Sequence, residues 1–265
     1  MNKIRLFQVD AFTEKQFKGN PAAVCLLYDE ISEDTMQAIA AENNLSETAF
    51  VVKVKDGFNL RWFTPTVEVD LCGHATLASA FIIWQEGELA KDETVRFNTR
   101  SGLLTAVRKG DWIELDFPAS FEKESSLPKE ALVALNVKPV NVVFSETRYL
   151  VELATEEEVR GCKPDFNTLK NHDMIVLTSK GNKSSDYDFI SRSFAPAHGI
   201  DEDPVTGSSH CCLTPYWSKR LGKSEMFAYQ ASERGGEIKV KLSGDRVLFS
   251  GKAVTVLSGY FLLDK

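Results

Sequence analysis

The chain has 265 residues, 43% apolar and 26% charged, the balance of a soluble globular protein with room for one large or two ordinary domains. With 31 basic against 38 acidic residues its net charge is −7, which argues against a nucleic-acid partner. No apolar run reaches the roughly 18 to 20 residues of a membrane helix, and the first ten residues read as a strand rather than an export signal, so a cytoplasmic address without membrane contact is expected.

In chain order, the first half alternates short β-rich runs with turn signals: 4–9, 22–27, 48–54, 58–63, 94–99, 102–108 and 112–117. A helix opens at Ser32, carries Glu33 and Asp34 in its first turn, shows Met36, Ile39 and Ala40 on one face and stops at Asn43-Asn44. A second helix, from about Gly73-His74 to Trp84, is apolar almost all round and therefore calls for burial on nearly every side. The second half runs similarly: a helix over 128–136, strands over 140–144, 148–152, 174–178 and 187–194, then Gly207-Ser208 and a largely apolar segment, 209–221. Pro215 either kinks that last helix or delays its start.

The halves also share residues. Arg61-Trp-Phe63-Thr-Pro65 is matched by Arg192-Ser-Phe194-Ala-Pro196, and each copy leads through an acid-containing loop and a glycine into a buried helix. The expected fold is α+β, two pseudo-symmetric domains, each a mixed curved β-sheet or barrel around a central helix. The domains are placed at 1–118 and 119–256, with a boundary at the Pro-, Ser- and charge-rich stretch 118–127 and a C-terminal strand, 257–265, as a candidate to complete the first.

Five cysteines make no C-x-x-C pair, four histidines show no metal-ligand spacing, and the glycine patterns that cradle phosphates are missing. His210, Cys211 and Cys212 diverge by about 100° per residue on a helix. Neither a metal nor an organic cofactor is expected. If the two copies face each other, Cys72-Gly73-His74 and Thr206-Gly207-Ser208 aim two helix N-termini into one cleft, where free N–H groups suit a carboxylate. Gly73 and Gly207 read equally well as turn glycines.

One string, Gly199-Ile-Asp-Glu-Asp203-Pro-Val-Thr-Gly207-Ser208, stands with Gly19-Asn20-Pro21-Ala22-Ala23-Val24, Asn44-Leu45-Ser46-Glu47-Thr48-Ala49-Phe50, Arg61 to Pro65 and Asp70-Leu-Cys-Gly-His-Ala-Thr-Leu-Ala78. Together, and in this order across nearly the whole chain, they resemble the PhzF family of phenazine-biosynthesis-like isomerases, which has the diaminopimelate-epimerase-like fold. Within it the chain is most similar to the phenazine-biosynthesis-like domain proteins. The resemblance implies a cofactor-independent isomerase shuttling a proton on a small carboxylate-bearing substrate, and a homodimer.

It further implies that Glu47 is the general acid/base in the inter-domain cleft and that His74 and Asp203 complete the catalytic set. The amides of Gly73, His74, Gly207 and Ser208 would hold the carboxylate, with Asn20 and Ser46 nearby. Read without the family, Glu47 is an ordinary strand-leading glutamate and Asp203 a turn acid. His74, at a helix start, is expected to be neutral, because the dipole disfavours positive charge there. Cys72 occupies the position of a catalytic thiol in the epimerases and a helix start would lower its pKa, but no partner thiol exists in the second loop. A buried, inert cysteine, a two-base racemase or epimerase using Cys72, and an idle binding protein therefore stay open.

Overall fold

A computed structural model describes residues 2–263; positions 1, 264 and 265, the outer tips of the predicted first and last strands, lie outside the described residues. The chain divides into two compact units, Met1–Asp116 with Ser250–Lys265, and Phe117–Phe249.

In the first unit, β1 (Asn2–Ala11) runs antiparallel to both β18 (Ala253–Leu263) and β2 (Asn20–Leu27). β3 (Thr48–Val54) lies parallel to β2, which requires a crossover. That crossover is α1 (Glu33–Asn43), begun by Ser32, whose hydroxyl accepts the Thr35 N–H, and ended by Asn44 in the left-handed conformation at φ 49°. Its buried Met36, Ile39 and Ala40 pack with Cys25, Phe50 and Phe63. β4 (Gly57–Phe63) continues antiparallel from β3, pairs with the short β5 (Glu68–Val69), and takes β6 (Val95–Thr99) in parallel. β7 (Gly102–Lys109) and β8 (Trp112–Pro118) follow as a meander. The second crossover, α2 (Gly73–Gln85), is buried from His74 through Ala80 and again from Ile82 to Trp84, as its apolar circumference demands. Thr76 and Ser79 donate their hydroxyls to the carbonyls of Cys72 and Ala75, at 2.5 and 2.7 Å, so neither leaves a stranded polar group in the core.

The second unit repeats this pairing order strand for strand. β9 (Lys123–Glu124) and β11 (Arg148–Glu152) flank β10 (Asn141–Ser145) antiparallel, as β18 and β2 flank β1. β12 (Met174–Lys180) lies parallel to β11 after the crossover helices α4 (Glu156–Gly161) and α5 (Phe166–Leu169), which follow α3 (Lys129–Leu135). β13 (Phe189–Ala195) pairs antiparallel with β12 and β14 (Ile200–Asp203) and parallel with β15 (Glu225–Gln230). β16 (Gly236–Ser243) runs antiparallel to β15, and β17 (Arg246–Gly251) ends the series. The crossover before β15 is α6 (Gly207–Leu221), buried on most sides.

The Arg-x-Phe repeat recurs in three dimensions as well. Arg61 grips Glu68 with Nε and Nη2 at 2.7 and 2.6 Å while its guanidinium lies 5.1 Å from the Phe63 ring centre. Arg192 does the same with Glu202, at 2.8 Å through both nitrogens, and lies 4.9 Å from the ring of Phe194. Each bidentate pair fastens a short strand, β5 or β14, to the long strand that carries the arginine, and so fixes the path of the loop entering α2 or α6.

Pro215 sits inside α6 and does not delay its start. Its missing N–H frees the Cys211 carbonyl, and Ser120 N–H donates to that oxygen at 3.0 Å, so the break costs no buried acceptor. His210, one turn earlier, is fully buried with Nδ1–H donating to the Thr206 carbonyl at 2.8 Å. Burial depresses its pKa to about 4 from an ordinary 6.5, against a small opposite pull from that carbonyl. Below pH 6.5 the unfolded chain takes up a proton that the native protein refuses until about 4, so acid favours unfolding. Urea unfolding is expected to show wild-type stability falling by about 2 kcal/mol more between pH 7 and 5 than that of His210→Gln. Equal pH dependence in the two proteins would remove this assignment.

Candidate active site

Three segments far apart in sequence meet at the start of α2. Asn20 opens β2 after Gly19, which turns the chain at φ +64°. Glu47 stands just before β3, in the turn set by the Asn44 helix stop; the Ala23 N–H donates to the Glu47 carbonyl at 3.2 Å, and the Asn43 amide donates to Thr48 Oγ1 at 3.1 Å. His74 lies in the first turn of α2, next to Gly73 and after the N-cap Cys72.

Their side chains converge. Asn20 Nδ2 lies 3.3 Å from His74 Nδ1, and Cys72 Sγ lies 3.5 Å from the same nitrogen. The other ring nitrogen, Nε2, lies 3.2 Å from Glu47 Oε2, close enough for charge pairing yet without the alignment of a hydrogen bond. Asn20 is fully buried, His74 and Cys72 are 6% exposed, and 16% of the Glu47 side chain reaches solvent. Burial alone would discharge His74, but Cys72 and Glu47 outweigh it and hold its pKa well above the ordinary value. The neutral histidine expected at this helix start is therefore not what its neighbours favour. Burial and the Glu47 charge push the Cys72 thiol up, His74 pulling the other way, so the expected lowering by the helix start is overturned.

Glu47, Cys72 and His74 offer three ligand-type atoms within 4.8 Å of one another. Cys72 meets Nδ1 of the His74 ring and Glu47 faces Nε2. Ser46 lies partly exposed in the Glu47 turn.

At the corresponding place in the second unit, Asp203 ends β14 and Gly207 begins α6. Asp203 Oδ2 accepts from Thr206 Oγ1 at 2.6 Å. The buried Gln230 braces this loop: its Oε1 accepts the Thr206 N–H at 2.9 Å and its amide donates to the Asp203 carbonyl and Thr206 Oγ1 at 2.8 and 3.0 Å. Ser208 is exposed and takes a hydrogen bond from Arg148 at 3.0 Å. The sequence pointed to neither Gln230 nor Arg148. Gln230 carries only the signal of a polar residue on an inward strand position, and Arg148 reads as the first residue of a strand.

The sequence matches the family described as phenazine biosynthesis-like protein over residues 9–259. The chain belongs to the phenazine biosynthesis-like family. A relative from Halalkalibacterium halodurans named as an uncharacterized isomerase is 51% identical over 97% of this chain and 98% of its own. The human phenazine biosynthesis-like domain-containing protein is 42% identical at the same coverage of both chains. Among solved structures, a PhzF-family phenazine biosynthesis protein from Enterococcus faecalis superposes with a TM-score of 0.94 at 41% identity, covering 99% of this chain and 100% of its own. The fold is therefore the diaminopimelate-epimerase-like one, with a mixed sheet and a central helix in each unit. Asn20, Glu47 and His74, which stand in separate family motifs of the sequence, are in contact in the first unit, and Asp203, Gly207 and Ser208 stand together in the second.

Proposed function

We propose that this protein is a cofactor-independent isomerase that moves a proton along a small carboxylate-bearing substrate, with Glu47 as the general acid/base. The observation that supports it is the Glu47–His74 pair: a carboxylate oxygen withdrawn from water, 3.2 Å from an imidazole, with no aligned hydrogen bond of its own. An acid/base group needs such free bonding capacity to meet a substrate proton. The isomerase names of bacterial relatives agree with this reading.

In the proposed reaction the Glu47 carboxylate takes a proton from carbon, the C–H electron pair enters an adjacent conjugated or carboxylate-stabilised system, and the resulting carboxylic acid returns the proton at another carbon. His74 steadies Glu47 from Nε2, Asn20 holds the ring from Nδ1, and the N–H groups of Gly73 and His74 with Ser46 receive the substrate carboxylate. Asp203, Gly207 and Ser208 enter the proposal through the family resemblance. A second reading, two-base epimerisation with Cys72, draws on the 3.5 Å contact between its thiol and His74.

The test is incubation with a panel of small cyclic and amino carboxylic acids in D₂O, following both deuterium at carbon and product. Isomer formation that disappears with Glu47→Gln is expected; undiminished formation in that variant overturns the assignment. No helix among the described residues is long and apolar enough to cross a membrane. A cytoplasmic homodimer is proposed, and light scattering coupled to gel filtration is expected to show twice the 29.6 kDa chain mass at micromolar concentration. A monomer alone would refute the dimer.

A further inference from the structure

Cys72 holds the N-cap position of α2, where a serine or threonine would commit its oxygen to a first-turn N–H. Cys72 makes no such cap bond. Its sulfur instead lies 3.5 Å from His74 Nδ1, while Glu47 faces Nε2 of the same ring. Thiol, imidazole and carboxylate thus lie within 4.8 Å of one another, with Nδ1 meeting the thiol and Nε2 facing the carboxylate.

We propose that Cys72 is a positioning residue for the proton on His74: the thiol decides what Nδ1 carries, and thereby what Nε2 presents to Glu47. This rests on Glu47 being the acid/base. With the thiol protonated, S–H points at Nδ1, the imidazole is neutral, and its single proton lies on Nε2 facing the carboxylate. When the proton crosses, the S–H bond breaks and an Nδ1–H bond forms, leaving a thiolate beside an imidazolium, with no change in oxidation state and no proton drawn from solvent. The Asn20 amide from β2 touches Nδ1 but cannot take the place of the thiol, because an amide does not ionise at these pH values. The titratable groups acting on His74 are Cys72 on its own helix and Glu47 from the turn before β3. A cysteine that merely filled space would leave the charge of His74 alone.

The imidazole resonances of the four histidines, followed by nitrogen-15 NMR against pH, separate the two cases. In the wild type, His74 is expected to hold its proton above the ordinary imidazole range. In Cys72→Ala the His74 midpoint is expected to fall, since the sulfur that can carry the balancing negative charge has gone. Cys72→Ser, which keeps a donor that does not ionise, is expected to fall likewise and serves if the alanine variant does not fold. Unchanged resonances of His172 and His198 show that the fold is intact. A His74 midpoint in both variants equal to the wild type overturns the proposal. Glu47→Gln, measured alongside, distinguishes this failure from that of the Glu47 reading. If only that variant moves His74, Cys72 has no such role and Glu47 keeps its place.

Discussion

Glutamine at position 47 is expected to reduce isomer formation by roughly 10²–10⁴-fold, the usual cost of losing a general acid/base, while leaving fold and ligand affinity close to wild type. Glutamine has the shape of glutamate and can still face His74 Nε2 through its carbonyl oxygen, so the 3.2 Å contact survives in outline. What it lacks is a group that accepts and returns a proton. Cys72→Ala should cost less, because the thiol touches His74 and is not the group proposed to take the proton. The ranking reverses if the chemistry is two-base epimerisation with Cys72. Cysteine removal then becomes the crippling change, and iodoacetamide inactivates the enzyme unless a carboxylate ligand is bound. Deuterium must be read together with product, since one group working on one face can return the proton it removed. Product forming at the wild-type rate in Glu47→Gln ends the mechanism proposed above.

Much of the fold is legible because local signals and tertiary demand agree. The Ser32 cap and the Asn44 stop mark α1 within a residue, and Thr48–Val54 is a strand with its predicted bounds, five of its residues buried in succession. The repeat was legible through Arg61 and Arg192, because the same bidentate pair is needed to fasten the same loop twice. Its partner strands β5 and β14, two and four residues long, were not, since they exist only because that loop is fastened across space. The alternation of Glu225–Gln230 is interrupted at its end by Gln230, an inward-facing polar residue whose bonds all go to the loop at 203–206. The contact of Asn20 with His74, 54 residues away, has no periodicity that could announce it. Nor does composition disclose that Cys72 turns to a histidine two residues on instead of capping its helix. The family motifs marked these residues as a group, and only the folded chain shows which ring nitrogen meets the thiol and which the carboxylate.

Gly19→Ala is expected to be strongly damaging to the first unit. A Cβ at this position would lie 2.1 Å from the Ala11 carbonyl oxygen and 2.7 Å from Thr13 Cγ2, with the backbone already left-handed at φ +64°. The carbonyl cannot give way as a flexible side chain could, because Ala11 ends β1 and is registered against both Asn20 and Ala253. The loop between is equally committed. Phe12 and Phe17 are held at φ 64° and 67°, Phe17 N–H donates to the buried Asp10 carboxylate at 2.6 Å, and Thr13 N–H donates to the Lys252 carbonyl at 3.2 Å. Gly87 supplies the control, for it is left-handed too, at φ +72°, but a Cβ there meets nothing within 4 Å. Gly87→Ala should cost only the left-handed penalty, about 1–2 kcal/mol. Gly19→Ala adds a steric collision that must move β1 or β2, so a loss of about 3 kcal/mol or more is expected in urea unfolding. Because Asn20 is the next residue, the same displacement should draw its amide off His74 Nδ1, and product formation should fall in whatever fraction remains folded. Equal unfolding midpoints for the two alanine variants would mean that the Gly19 turn relaxes freely and that this glycine does not set the place of Asn20.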